Sequence, residues 1–103
     1  MVLVNNGTFA TLRVLDRDRP YMRVRPWDYV GLARALGADG ERVTTRAEFA
    51  AALRRAEATD GVRLIEAVIP ADDASRLLRR MANEFAPRVR QAIGEPAPAG
   101  AAP

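Results

Sequence analysis

Asn5-Asn6-Gly7-Thr8 stands at the end of a short apolar run, Val2-Leu3-Val4. It offers side-chain amide oxygens and backbone carbonyls. Oxygen donors of this kind suit Mg²⁺, a hard cation usually shared with a phosphate group. The same four residues are also the composition of a plain turn, because Asn and Gly tolerate left-handed backbone. Both readings stand on these residues alone. Glu66 lies inside the apolar run 62–69 and is either a functional carboxylate or, more in keeping with how seldom unpaired carboxylates are buried, a sheet-end or partner-paired residue. Asp72 and Asp73 read as helix-start acids rather than an acid/base pair. Trp27 and Tyr29 read as core or interface anchors before a stacking platform. Gly37-Ala38-Asp39-Gly40 lacks the Lys and Ser/Thr of a phosphate-binding loop and follows no strand.

Much other chemistry is absent. The 103 residues contain no cysteine and no histidine, which excludes thiol nucleophiles, zinc-thiolate sites and Ser-His-Asp machinery. All 16 basic residues are arginine, and 13 acidic residues bring the net charge to +3, too little to imply a nucleic-acid partner by itself. No run approaches the roughly 18–20 apolar residues of a membrane helix, and residues 1–6 lack a basic start. The expectation is a cytoplasmic chain with neither membrane nor nucleic acid as partner. A basic stretch from Arg13 to Arg25 surrounds only Asp16 and Asp18. It is either a solvated loop or a patch for an acidic partner.

These residues need elements to hold them. Val2–Val4 reads as a buried strand cut off by the Asn-Asn-Gly turn. Residues 8–15 allow a short helix on Phe9, Leu12 and Leu15. Pro26 fits the first position of a second helix, with Tyr29, Leu32, Ala33 and Leu36 on one face and Gly37 as its stop. Arg42-Val43-Thr44 is a short strand. Thr45 and Glu48 have the spacing of a capping box, and Phe49, Ala52, Leu53 and Ala56 give the following helix an inward stripe. Residues 62–69 form the clearest strand, closed by Pro70. Asp72, Asp73 and Ser75 open a last helix whose core face is Leu77, Leu78, Met81 and Phe85, with Pro87 ending or bending it. Residues 94–103 are Ala, Pro and Gly with a single Glu and are expected to be disordered. Strands alternating with helices predict an α/β fold with a parallel sheet, and ligands then gather at the carboxyl ends of the strands. Two or three strands are few for such a sheet, so the expectation is the C-terminal part of a doubly wound, Rossmann-like sheet, truncated, with residues 1–93 folded.

The run Val2-Leu3-Val4-Asn5-Asn6-Gly7-Thr8-Phe9-Ala10-Thr11-Leu12-Arg13 resembles the end of the thiamine diphosphate motif, in which Gly-Asp-Gly is followed by an apolar strand and Asn-Asn. The resemblance continues through Pro26-Trp27-Asp28-Tyr29, Leu32 to Gly40, Val43 to Glu48 and Leu64 to Pro70. It covers roughly residues 2–85 in one order and is similar to the benzoylformate and phenylpyruvate/indolepyruvate decarboxylases.

The resemblance implies the following. Asn6 gives Mg²⁺ a side-chain oxygen, Thr8 gives it a backbone carbonyl, and Gly7 lets the chain turn between them next to the cofactor diphosphate. Leu12 faces the substrate where pyruvate and many indolepyruvate decarboxylases carry glutamate, and an apolar residue there is more like the enzymes that handle aromatic or bulky 2-oxo acids. The cofactor acts as electron sink while CO₂ leaves. The Gly-Asp-Gly aspartate is expected before Met1, and the glutamate that activates the cofactor ring in another domain, so this chain is expected to be inactive alone. The full-length relatives are expected to form homodimers or homotetramers. A carboligase of the acetolactate synthase kind uses the same metal motif and is the first alternative. A non-enzymatic module binding through the Arg13–Arg25 loop is the second.

Overall fold

A computed structural model of the chain describes residues 1–16 and 19–94. Arg17, Asp18 and residues 95–103, where most of the expected tail falls, lie outside the described residues. The element order is β1 (Val2–Asn5), α1 (Ala10–Leu15), a 3₁₀ turn (Pro20–Met22), α2 (Tyr29–Ala35), β2 (Asp39–Val43), α3 (Arg46–Glu57), β3 (Arg63–Val68) and α4 (Arg76–Ala92). They fall into two compact units. One comprises Met1–Thr8 and Arg25–Ala71, and the other is built from Phe9–Val24 and the chain from Asp72 onward.

The first unit is an α/β layer structure. Its three strands are all parallel in the order β1-β3-β2, with Val2 opposite Ile65, Asn5 opposite Val68, Asp39 opposite Arg63 and Val43 opposite Ala67. Side chains alternate across a strand, so Val43, Ile65 and Ala67 share one face. Helix α3 covers that face: Val43, Ala52 and Ile65 form the buried core, with Phe49, Leu53, Ala56 and Ala67 packed around it. Helix α2 packs on β2 and β3 from the other face. Gly40 permits this approach, because a Cβ there would stand 3.3 Å from Val30 Cγ1 and 3.4 Å from its Cα. Helices on both faces of a parallel sheet are the layout that alternating strands and helices predict.

The caps follow their local chemistry. Thr45 and Glu48 form the expected capping box, and the Ser75 hydroxyl accepts from Leu78 N at 3.1 Å to start α4. Past the end of α2, Gly37 N donates to Arg34 O at 3.0 Å and Ala38 N to Ala33 O at 2.9 Å, the paired bonds of a Schellman stop.

Four expectations are corrected. Helix α2 starts at Tyr29 rather than Pro26, because the Asp28 carboxylate accepts from Gly31 N at 2.9 Å and caps it there. Strand β2 begins at Asp39 and ends at Val43, since Thr44 N is taken by Glu48 instead of a neighbouring strand. Strand β1 is not buried: Val2 and Val4 are 44% and 62% exposed, as β1 is an edge strand and α3 lies over β2 and β3.

The fourth correction concerns the second unit, where α1 packs on α4 and Phe9 N donates to Met22 O at 2.8 Å. Helix α4 runs through Pro87 to Ala92, and its buried residues are Ala82 and Ala86 with Leu78 half-buried. Leu77, Met81 and Phe85 are exposed. The small alanines let α1 come close, and the bulkier stripe beside them turns outward. No helix among the described residues is long and apolar enough to cross a membrane.

Candidate cofactor-phosphate site at the end of strand β1

Strand β1 delivers its last residue, Asn5, to the carboxyl end of the parallel sheet, and the ladder holds it there: Ile69 N donates to Asn5 O at 3.0 Å. Beyond it the chain makes two consecutive Asx turns. Gly7 N donates to Asn5 Oδ1 at 3.0 Å, and Thr8 N donates to Asn6 Oδ1 at 3.2 Å. Such side-chain to backbone bonds two residues on are the local habit of Asn. Gly7 adopts φ +65° between the two turns. A Cβ there would meet nothing within 4 Å, so the backbone conformation is what calls for glycine.

The donors are neutral oxygens. Asn6 Oδ1 accepts one hydrogen bond and retains a second lone pair. Among the described residues no group of three or more His, Cys, Asp or Glu could hold a metal ion. A cation at this turn would take amide and carbonyl oxygens from it and its counter-charge from elsewhere, a bound anion among the sources. That division suits Mg²⁺ shared with a diphosphate, so the residues present fit such a group as part of its oxygen shell.

Below the loop, Glu66 of β3 is 4% exposed. Its Oε1 accepts from Asn5 Nδ2 at 2.7 Å, and its Oε2 faces Arg42 Nε at 3.9 Å. The paired reading of Glu66 holds. Its particular partner was not legible beforehand, since 61 residues separate it from Asn5 and only the register brings them together.

The site thus combines a parallel strand, Asn-Asn-Gly turns at its carboxyl end and a carboxylate beneath them. Residues 1–67, which hold all of it, match the family described as thiamine pyrophosphate enzyme, C-terminal TPP binding domain. The chain belongs to this family. Its cofactor is accordingly thiamine diphosphate, and the family is one of enzymes.

Relatives within the family point the same way. The indole-3-pyruvate decarboxylase of Azospirillum brasilense is 40% identical over 81 residues, covering 78% of this chain and 15% of the relative. A Mycobacterium tuberculosis protein provisionally named an acetolactate synthase large subunit is 37% identical over 87 residues, covering 67% and 16%. Pyruvate decarboxylase 3 of Oryza sativa is 36% identical over 102 residues, covering 91% and 16%. The chain thus spans about 15% of the length of these curated relatives.

The other residues singled out fall elsewhere. Leu12 belongs to the second unit, on α1, and is 49% exposed. Trp27 is exposed and stacks on Tyr29 with centroids 6.5 Å apart, so it is no core anchor of the first unit. Asp72 and Asp73 precede the Ser75 cap rather than sitting in the first turn of α4.

Proposed function

We propose that this chain is the diphosphate-holding part of a thiamine diphosphate-dependent 2-oxo acid decarboxylase, with Asn6 Oδ1 and the Thr8 carbonyl as oxygen donors to Mg²⁺. The observation that carries the reading is the pair of Asx turns at the carboxyl end of β1, inside the segment that matches the cofactor-binding family. Asn6 and Thr8 contribute to the cation shell, Gly7 lets the loop turn between them, and residues 1–93 form the C-terminal portion of the binding domain. Thiamine diphosphate, when bound, supplies the electron sink for loss of CO₂.

The substrate reading is an aromatic or bulky 2-oxo acid. It is supported by apolar Leu12 and by the likeness to an indole-3-pyruvate decarboxylase. A carboligase is the second reading, supported by the likeness to the Mycobacterium protein. A cytoplasmic, homo-oligomeric full-length enzyme completes the proposal, and the chain by itself turns over no substrate.

The test is a titration of the ¹⁵N-labelled chain with Mg²⁺ and thiamine diphosphate. The Asn6 side-chain amide and the Gly7 and Thr8 resonances shift when both are present, and Asn6→Ala abolishes the response. Resonances that ignore both at millimolar concentration overturn the site. Measurable CO₂ release from phenylpyruvate by the chain alone would overturn its lack of competence. Product analysis of an enzyme carrying this segment separates decarboxylase from carboligase.

A further inference from the structure

Glu66 takes no part in the cation shell described above, yet it is a carboxylate with only 5% of its side chain exposed on the central strand of the sheet. A buried carboxylate is costly unless its oxygens are matched. Its matching is specific. Oε1 accepts from Asn5 Nδ2 at 2.7 Å, and among the described residues Oε2 has the Arg42 guanidinium at 3.9 Å, from a side chain that is itself 62% exposed.

A carboxylate accepts and cannot donate, so it admits one orientation of the Asn5 amide, with the NH₂ toward Glu66. The oxygen end must then point the other way, where it accepts from Gly7 N at 3.0 Å. A flipped amide would set NH₂ against the Gly7 N–H, donor against donor. The orientation of one amide thus decides whether the first Asx turn closes. The second turn, Thr8 N to Asn6 Oδ1, starts from the residue that the first one holds.

We propose that Glu66 is a positioning residue for the cation site: by orienting the Asn5 amide it fixes the loop that presents Asn6 and Thr8. This rests on the reading of Asn6 and Thr8 as oxygen donors. Glu66 touches neither cation nor cofactor. It acts through Asn5, tying a loop near one end of the chain to the strand that pairs with both β1 and β2. Removing a group that holds metal ligands in place commonly changes metal affinity by about 10–100-fold.

The experiment compares the full chain with Glu66→Gln, a substitution of equal size whose amide can accept or donate. In the variant, Gly7 N–H exchange speeds up by about fivefold or more and the Asn5 side-chain protons lose their distinct shift. The Ile65 and Ile69 amides, bonded to Met1 O and Asn5 O, keep their protection. Apparent Mg²⁺ affinity in the presence of thiamine diphosphate falls about tenfold. Unchanged Gly7 exchange overturns the proposal, and so does a loss that spreads equally to Ile65 and Ile69, which marks general loosening of the sheet. Wild-type Asn6 and Thr8 resonances that ignore Mg²⁺ and thiamine diphosphate overturn the cation reading and this role with it, whereas unmoved Gly7 exchange overturns the role alone. Should Glu66→Gln not fold, the unsubstituted chain decides: one Asn5 Nδ2 proton exchanges slowly, and solvent-rate exchange of both sinks the idea.

Discussion

Two loops leave the carboxyl ends of parallel strands in the same sheet, and each folds onto its own side chains with a different kind of oxygen. After β1, the neutral amides of Asn5 and Asn6 accept from Gly7 N and Thr8 N. After β2, the Glu48 carboxylate accepts from Thr44 N at 2.8 Å, Thr45 N at 3.0 Å and the Thr44 hydroxyl at 3.2 Å. In return Glu48 N donates to the Thr45 hydroxyl oxygen at 3.2 Å. The second loop is closed by a charge already loaded with donors. The first spends one lone pair per amide and brings no charge of its own, so an anion and its cation can complete it. The contrast supports the proposal of the neutral loop, rather than the one closed by Glu48, as the place for a cofactor phosphate.

The comparison breaks first at the strand both loops depend on. Ile65 is 2% exposed on β3, which pairs with β1 and β2 alike. Ile65→Ala is expected to cost about 2–5 kcal/mol, read from urea unfolding, and to speed amide exchange in both loops together. Exchange confined to one loop would show that they do not share this support. Gly7→Val separates them next. Its φ of +65° is poorly available to a β-branched residue, at a cost of about 1–3 kcal/mol, with the capping box after β2 unaffected. Thr45→Ala is the converse: removing the cap costs about 1 kcal/mol and leaves any Mg²⁺-dependent shifts of Asn6 and Thr8 in place.

The smallest effect is one of pH. Hydrogen bonds from the Thr44 backbone, then the Thr45 backbone and the Thr44 hydroxyl, hold the Glu48 carboxyl below its ordinary value of 4.5. A group whose folded pKa is depressed stabilises the fold above its unfolded pKa, and that contribution fades as pH falls through the lower, folded value. The start of α3 therefore loosens on acidification from 4.5 downward, by amide exchange at Glu48 and Phe49. Glu48→Gln removes that pH dependence, and the Asn5–Thr8 loop shows none from this source.

The most legible features were short in range. The capping box of Thr45 and Glu48, the Ser75 cap and the Gly37 stop each join residues within a few positions, so residue type and spacing were enough. The strand over 62–69 was legible because β-branched residues crowd it. The face of α4 was not. Leu77, Met81 and Phe85 form an apolar stripe beside Leu78, Ala82 and Ala86, and periodicity cannot choose between adjacent stripes. Close packing against α1 chose the smaller side chains. The edge position of β1 was equally hidden, because an apolar triplet carries no record of its neighbours.

The sequence by itself determined the turn that bears the candidate site. Asn5, Asn6 and Gly7 bond and bend within their own four residues, and their resemblance to a cofactor motif needs no fold to be noticed. Only the tertiary structure decided what holds that turn in place. The partner of Asn5 is Glu66, 61 residues away, and the order β1-β3-β2 together with its register brings the two side chains within 2.7 Å. Local bonds follow from neighbouring residue types, whereas a partner across the sheet depends on how whole strands align, which no short stretch of sequence records.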